Sequence, residues 1–170
     1  MKIQNLPILV FVVSWFGFLV YWISTLEQLP QRVATHFGPS GNPNGWMTKT
    51  EDAFLTTAMG LGLPLLIVGV FYLLRFAPNR LINFPGPHRD YWLGSERRAA
   101  TMAYLFRHSF WLASLMIGLM AGVHRLTVEA NRQVAAPHLS VPATFVLLGC
   151  FLIAFITWFI AMFRHFRYFR

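Results

Sequence analysis

Residues 6–26 read LPILVFVVSWFGFLVYWISTL, with no charged side chain anywhere in the run. At about 1.5 Å of rise per residue, a helix of this length covers the roughly 30 Å of hydrocarbon in a bilayer. Lipid offers no water to satisfy peptide groups, so a lone segment crossing it must be helical. Three further runs have the same character, near residues 54–76, 102–123 and 141–163. The reading is therefore an all-α, integral membrane four-helix bundle, a single membrane domain over residues 1–170.

Composition supports this. Hydrophobic residues make up 56% of the 170 and charged residues 12%, about half the charge of a soluble domain. Mean hydropathy is +0.51. Too few polar side chains exist to coat a water-facing surface, so the apolar surplus faces lipid. The run at residues 6–26 exceeds a secretory signal core, and Ser24-Thr25-Leu26-Glu27-Gln28 offers no small-x-small cleavage site. A retained helix is expected.

The formal charge of +8 is placed beside the apolar runs rather than on one polar face, which argues against nucleic acid and for topology signals. Lys2, Arg75, Arg80, Arg89, Arg97, Arg98, Arg107, Arg164, Arg167 and Arg170 fall on one side, and Arg32, Lys49, Arg125 and Arg132 on the other. The positive-inside rule then puts both termini and the basic loop 77–101 in the cytoplasm, with loops 27–53 and 124–140 outside. Trp22, Trp46, Tyr91, Trp92 and Trp158 lie near span ends, where amphipathic rings suit the headgroup layer, whereas Trp15 and Trp111 lie deeper and are expected to pack.

Within the spans, Ser114, Gly118 and Gly122 repeat at four-residue spacing, a small-residue face suited to helix packing within the bundle or in a homo-oligomer. Pro64, with Gly60 and Gly62, removes a backbone donor and weakens the second helix locally. The single Cys150 lies in an apolar run and reads as a small packing residue.

The first outer loop, LPQRVATHFGPSGNPNGWMTK over residues 29–49, is dense in turn formers. Asn44-Gly45 is a tight-turn signal, residues 33–37 could be extended, and Thr50 before Glu51 and Asp52 reads as a cap with an acidic first turn. A flexible connector would not need so many turn residues with interleaved aromatics. An ordered extracytoplasmic cap is expected, with Pro30, His36, Phe37, Gly41, Pro43, Gly45, Trp46 and Lys49 as its binding candidates.

The run Leu-Pro-x-x-Val-x-x-His-Phe-x-x-x-Gly-x-Pro-x-Gly-Trp-x-x-Lys, from Leu29 to Lys49, resembles the signature of a bacterial membrane family, domain of unknown function 1648. Asn83-Phe84-Pro85, Tyr91-Trp92 ahead of Glu96-Arg97-Arg98, and Asn131 with Pro137 extend the likeness. The resemblance implies a multi-pass protein of the bacterial cytoplasmic membrane. It also implies a relation to the Sdp-type immunity proteins, which are implicated in toxin resistance and in sequestering a transcriptional repressor.

His36 could bind a ligand or metal, sense pH, or simply hydrogen-bond within the cap. His36, His124 and His138 share the outer side, which makes a three-histidine metal site conceivable, but no HExxH or close ligand spacing supports it. On the inner side, Asn83, Pro85, Tyr91, Trp92, Arg97 and Arg98 point to a short helix on the membrane surface that meets anionic lipid or docks a cytosolic protein. Arg107 is close enough to a span end to snorkel. The acidic residues Glu27, Glu51, Asp52, Asp90, Glu96 and Glu129 all fall outside the expected spans, and no catalytic, phosphate-binding or dinucleotide fingerprint occurs. The function expected is a non-catalytic binding or accessory component without cofactor or metal, partnered by lipid and by a protein or larger membrane complex. The alternatives are a small oligomeric transporter or channel, and a membrane enzyme with an outer histidine metal site.

Overall fold

A computed structural model describes residues 5–83, 88–132 and 135–167. It contains four helices long and apolar enough to cross a membrane, Leu6–Leu26, Lys49–Leu73, Arg98–Asn131 and Val141–Phe166. They are named here α1 (Leu6–Leu26), α2 (Lys49–Thr57) continued by α3 (Leu63–Leu73), α5 (Arg98–Asn131) and α6 (Val141–Phe166), with a short α4 (Arg89–Trp92) before α5. Large apolar side chains such as Phe54, Leu66, Phe145 and Ile153 stand exposed along them, so the surface that would meet water in a soluble protein is hydrocarbon. This is a multi-pass membrane protein by the length, composition and exposure of its helices.

The helix starts follow from local chemistry. Pro7 and Pro142 occupy first-turn positions of α1 and α6, where a missing N–H costs nothing. The Ser140 hydroxyl caps α6 by accepting from the Ala143 N–H at 3.4 Å. The cap of α2 is Thr48, two residues before the expected Thr50. Its hydroxyl accepts from the Glu51 N–H at 3.2 Å, and the Glu51 carboxylate accepts from the Thr48 N–H at 2.8 Å. This is a reciprocal capping box, and the earlier start puts Glu51 at the third helical position rather than the first.

The weak point expected at Pro64 is a π-helical turn, Ala58–Gly62, joining α2 to α3. The Trp15 indole of α1 donates to the Leu61 carbonyl inside it at 3.2 Å. A Cβ at Gly60 would lie 2.1 Å from the Phe18 ring, so glycine is what lets α1 close on this turn. The stripe Ser114, Gly118 and Gly122 is only partly a packing face. Gly122 sits against Leu147 of α6, where a Cβ would come within 2.4 Å, but Gly118 faces open space. The Ser114 hydroxyl bonds back to the Phe110 carbonyl at 2.8 Å. Cys150 is exposed rather than packed.

Helix α5 is the hub, packing against α1, α3 and α6. Its 34 residues span about 51 Å, well beyond the hydrocarbon thickness, so a window drawn on hydropathy alone stops short of both ends. Phe11, Phe18, Leu61, Phe110, Ala113 and Ile117 form the mid-bundle core.

Between α1 and α2 the loop is not helical but a β-hairpin of β1 (Arg32–Phe37) and β2 (Pro43–Thr48), antiparallel, with Val33 opposite Met47 and His36 opposite Gly45. The fold is thus helical with a two-stranded cap. Its tight turn lies at residues 38–42, where Gly41 adopts φ +83°, rather than at Asn44-Gly45, which lies within β2. Gly45 is needed there for space, since a Cβ would meet that of His36 at 2.8 Å.

Candidate functional site

One side-chain amide clamps β1 of the hairpin to the end of α5. Asn131, at the end of α5 and 1% exposed, accepts from the Ala34 N–H at 2.8 Å and donates to the Ala34 carbonyl at 2.9 Å. A second donation, to Thr127 at 2.9 Å, fixes its rotamer. The side chain thus takes the place of a neighbouring strand for one residue of β1, satisfying an edge that would otherwise be unpaired. Leu29, Val33 and Val128 bury the apolar side of this joint. On the far side, the Leu139 N–H donates to the Gly41 carbonyl at 2.9 Å and the Lys49 N–H to the Gln31 carbonyl at 3.0 Å, tying the turn and base of the hairpin to their neighbours.

The eight expected cap residues divide between scaffold and surface. Gly41 and Gly45 provide close approach, Pro30, Phe37 and Pro43 are half-buried, and Lys49 pairs with Glu27 at 3.5 Å. His36 is exposed, and its ring Nδ1 bonds the Asn44 side-chain oxygen, the within-cap partner that was one of its expected roles. Trp46 is exposed, with the Arg32 guanidinium 5.3 Å from its ring centre. Trp46 and Met47 continue into a shallow groove with Phe54 and Leu55 at the start of α2, edged by Glu51.

Beneath the hairpin lies a chamber that the sequence reading missed. It has a volume of about 280 Å³ and is lined by Asp52 and Thr56 of α2, His124 and Thr127 of α5, and Thr35 of β1. Thr35 is the extra residue of a β-bulge, since Ala34 pairs with Trp46 and His36 with Gly45. A bulge is a common device for re-aiming one side chain out of the alternation. Asp52 is 5% exposed and His124 is 2% exposed. Asp52 Oδ2 and His124 Nδ1 are both buried without a partner among the described residues, while His124 Nε2 meets Thr25 Oγ1 at 2.7 Å. A partial signal was present, because Thr48-Lys49-Thr50-Glu51 is a capping-box pattern that starts the helix early. That His124 would come opposite depended on the packing of α5 against the π-helical turn and α3, which continue α2.

His36, His124 and His138 do not combine into a metal centre. Among the described residues no group of three or more His, Cys, Asp or Glu is placed to hold an ion.

At the opposite end of the bundle, two residues expected at a lipid or docking surface turn inward. Trp92 is buried, and its indole donates to the Phe166 carbonyl at 3.1 Å inside a cluster with Ile82, Leu93, Met102, Leu105 and Met162. Arg98 donates to the carbonyls of Arg75 and Ala77 and to Asn79 Oδ1. It therefore satisfies orphan acceptors where α3 ends. Arg97 stacks on the Tyr91 ring at 4.1 Å and pairs with Glu96 at 3.8 Å. Asn83 is exposed, and Pro85 lies outside the described residues.

Residues 8–61 match the model of a family described as a domain of unknown function (DUF1648). The matched stretch covers nearly all of α1, the hairpin, and the second long helix as far as its π-helical turn. No curated protein and no solved structure matches the chain.

Proposed function

We propose, from the premise that residues 8–61 belong to domain of unknown function 1648, that this is a non-catalytic binding or accessory protein. It recognises a protein partner through its hairpin cap. The observation that carries the reading is the clamp of Asn131 on Ala34, which holds an exposed Trp46 and Arg32 on a rigid platform. Pre-ordering removes an entropic cost from binding, and Trp and Arg are the side chains most enriched at binding hot spots. The excess of Lys and Arg at the opposite end supports an extracytoplasmic cap on a protein of the bacterial inner membrane, with both termini in the cytoplasm. Capture of a toxin peptide, as the resemblance to immunity proteins implies, is one form of this role; attachment to a larger membrane complex is another.

The test is a photo-crosslinking amino acid at position 46 in native membranes, with position 145 on α6 as a lipid-facing control. A discrete protein adduct from position 46, absent from position 145 and reduced by Arg32→Ala, is the expected result. Lipid adducts alone from both positions would refute the reading.

A further inference from the structure

The chamber beneath the hairpin goes beyond partner recognition, because its chemistry is unbalanced. Five of the six acidic residues have partners. Glu27, Asp90, Glu96 and Glu129 are in ion pairs, and Glu51 completes the capping box. Asp52 is the exception: it is 5% exposed, and its Oδ2 has neither cation nor donor among the described residues. A desolvated carboxylate without a partner is costly, so it calls for a positive charge or a proton.

The hydrogen bonds of Thr25 favour one tautomer of His124. The single Thr25 hydroxyl proton is directed back to the helix, toward the Tyr21 carbonyl at 2.9 Å and the Trp22 carbonyl at 3.2 Å. With that proton on a helix carbonyl, Thr25 Oγ1 accepts from His124 Nε2 at 2.7 Å, which is the tautomer with the ring hydrogen on Nε2. In the neutral imidazole this leaves Nδ1 as a bare acceptor. Nδ1 is the atom that is buried without a partner. Two residues from different helices thus line one cavity with unsatisfied polar atoms, one of them a carboxylate oxygen, and the threonine hydroxyls of Thr35 and Thr127 line it as well. The remaining wall includes Met59 and Met120, flexible apolar side chains that suit a short alkyl group.

We infer that the chamber is a binding site for a small primary ammonium compound, its N–H donors shared between Asp52 and His124 and its alkyl part against Met59 and Met120. Zinc fits less well, because only two of its usual side-chain ligands line the cavity. A bridging water would satisfy the hydrogen bonds but would leave the carboxylate charge uncompensated.

The test uses the full chain in detergent, titrated calorimetrically with n-propylammonium, tetramethylammonium, 1-propanol and zinc at matched ionic strength. The 15N resonances of labelled histidine are followed in parallel, with His124 assigned by the loss of its signal in His124→Gln. Saturable binding of n-propylammonium is expected, with a shift of the His124 Nδ1 signal. Binding should be at least tenfold weaker for tetramethylammonium, which has no N–H, and for 1-propanol, which has no charge. The near-isosteric Asp52→Asn should weaken n-propylammonium at least tenfold, while Trp46→Ala should leave it unchanged, which separates this site from the partner surface. Absence of saturable n-propylammonium binding, equal binding of tetramethylammonium, a preference for zinc, or an unmoved His124 signal would each overturn the assignment.

Discussion

Replacing Asn131 with alanine tests the joint on which the cap depends. The substitution removes the acceptor at 2.8 Å from the Ala34 N–H and the donor at 2.9 Å from its carbonyl. Ala34 is 0% exposed, so neither group faces bulk solvent while the hairpin stays docked. Each stranded buried group costs about 1–3 kcal/mol, which puts the loss for the two at about 2–6 kcal/mol. At about 1.4 kcal/mol per decade, the low end alone raises the population of the undocked hairpin by about thirtyfold. The assay is hydrogen exchange read by mass spectrometry on peptides covering residues 29–48, with a peptide from the middle of α5 as internal reference. The expected result is at least thirtyfold faster exchange in the hairpin, with the α5 reference changed far less. Asn131→Asp separates hydrogen bonding from volume, because it keeps the acceptor but sets a carboxylate oxygen against the Ala34 carbonyl. It should be as damaging as alanine. If hairpin exchange in both variants stays within about threefold of the parent, below about 0.7 kcal/mol, Asn131 does not hold the cap.

Two further substitutions examine the turn and the opposite end. Gly41→Ala puts a side chain at φ +83° and a Cβ 2.5 Å from the Leu139 carbonyl oxygen, so it should cost about 1–3 kcal/mol in thermal or denaturant unfolding. Gly38→Ala, whose nearest neighbour would be 3.7 Å away, should fall within about 0.5 kcal/mol of the parent, and equal effects at the two positions would contradict the turn geometry. Arg98→Ala strips donors from the Arg75 and Ala77 carbonyls and from Asn79 and should lower stability by about 1–3 kcal/mol. Arg98→Lys should recover less than half of that, because an ammonium cannot span the acceptors of a guanidinium fork; full rescue by lysine would mean that charge alone matters.

How much was legible in the sequence depends on whether the signal is local. The span at residues 6–26 was readable to the residue, because the absence of charge and the lack of water in lipid act on the segment alone. The cap motif was readable as an ordered element for the same reason: turn-forming glycines and prolines restrict their own backbone. Within that motif the role of each residue was less visible. Asn44-Gly45 carries the preference of a tight turn, yet the chain turns at residues 38–42, because the space beside His36 and the bond from Leu139 to Gly41 decide between two glycine-rich candidates. Trp92 and Arg98 have the composition of an interfacial helix, but their fate was set by Phe166 and by the end of α3, dozens of residues away in each case or on another helix.

By itself, then, the sequence determined that this chain crosses a membrane several times, which segments do so, and that an ordered element stands between the first two. Each of these follows from the composition and spacing of contiguous residues in a known solvent. Only the tertiary structure decided that Asn131 would complete an edge of β1, that a bulge would send Thr35 to the wall of the chamber, and that Asp52 and His124 would line one cavity. The physical reason is that a hydrogen bond or an unpaired buried charge is a relation between groups far apart in the chain. A long α5 packed against three other helices creates those relations, and no window along the sequence contains both partners.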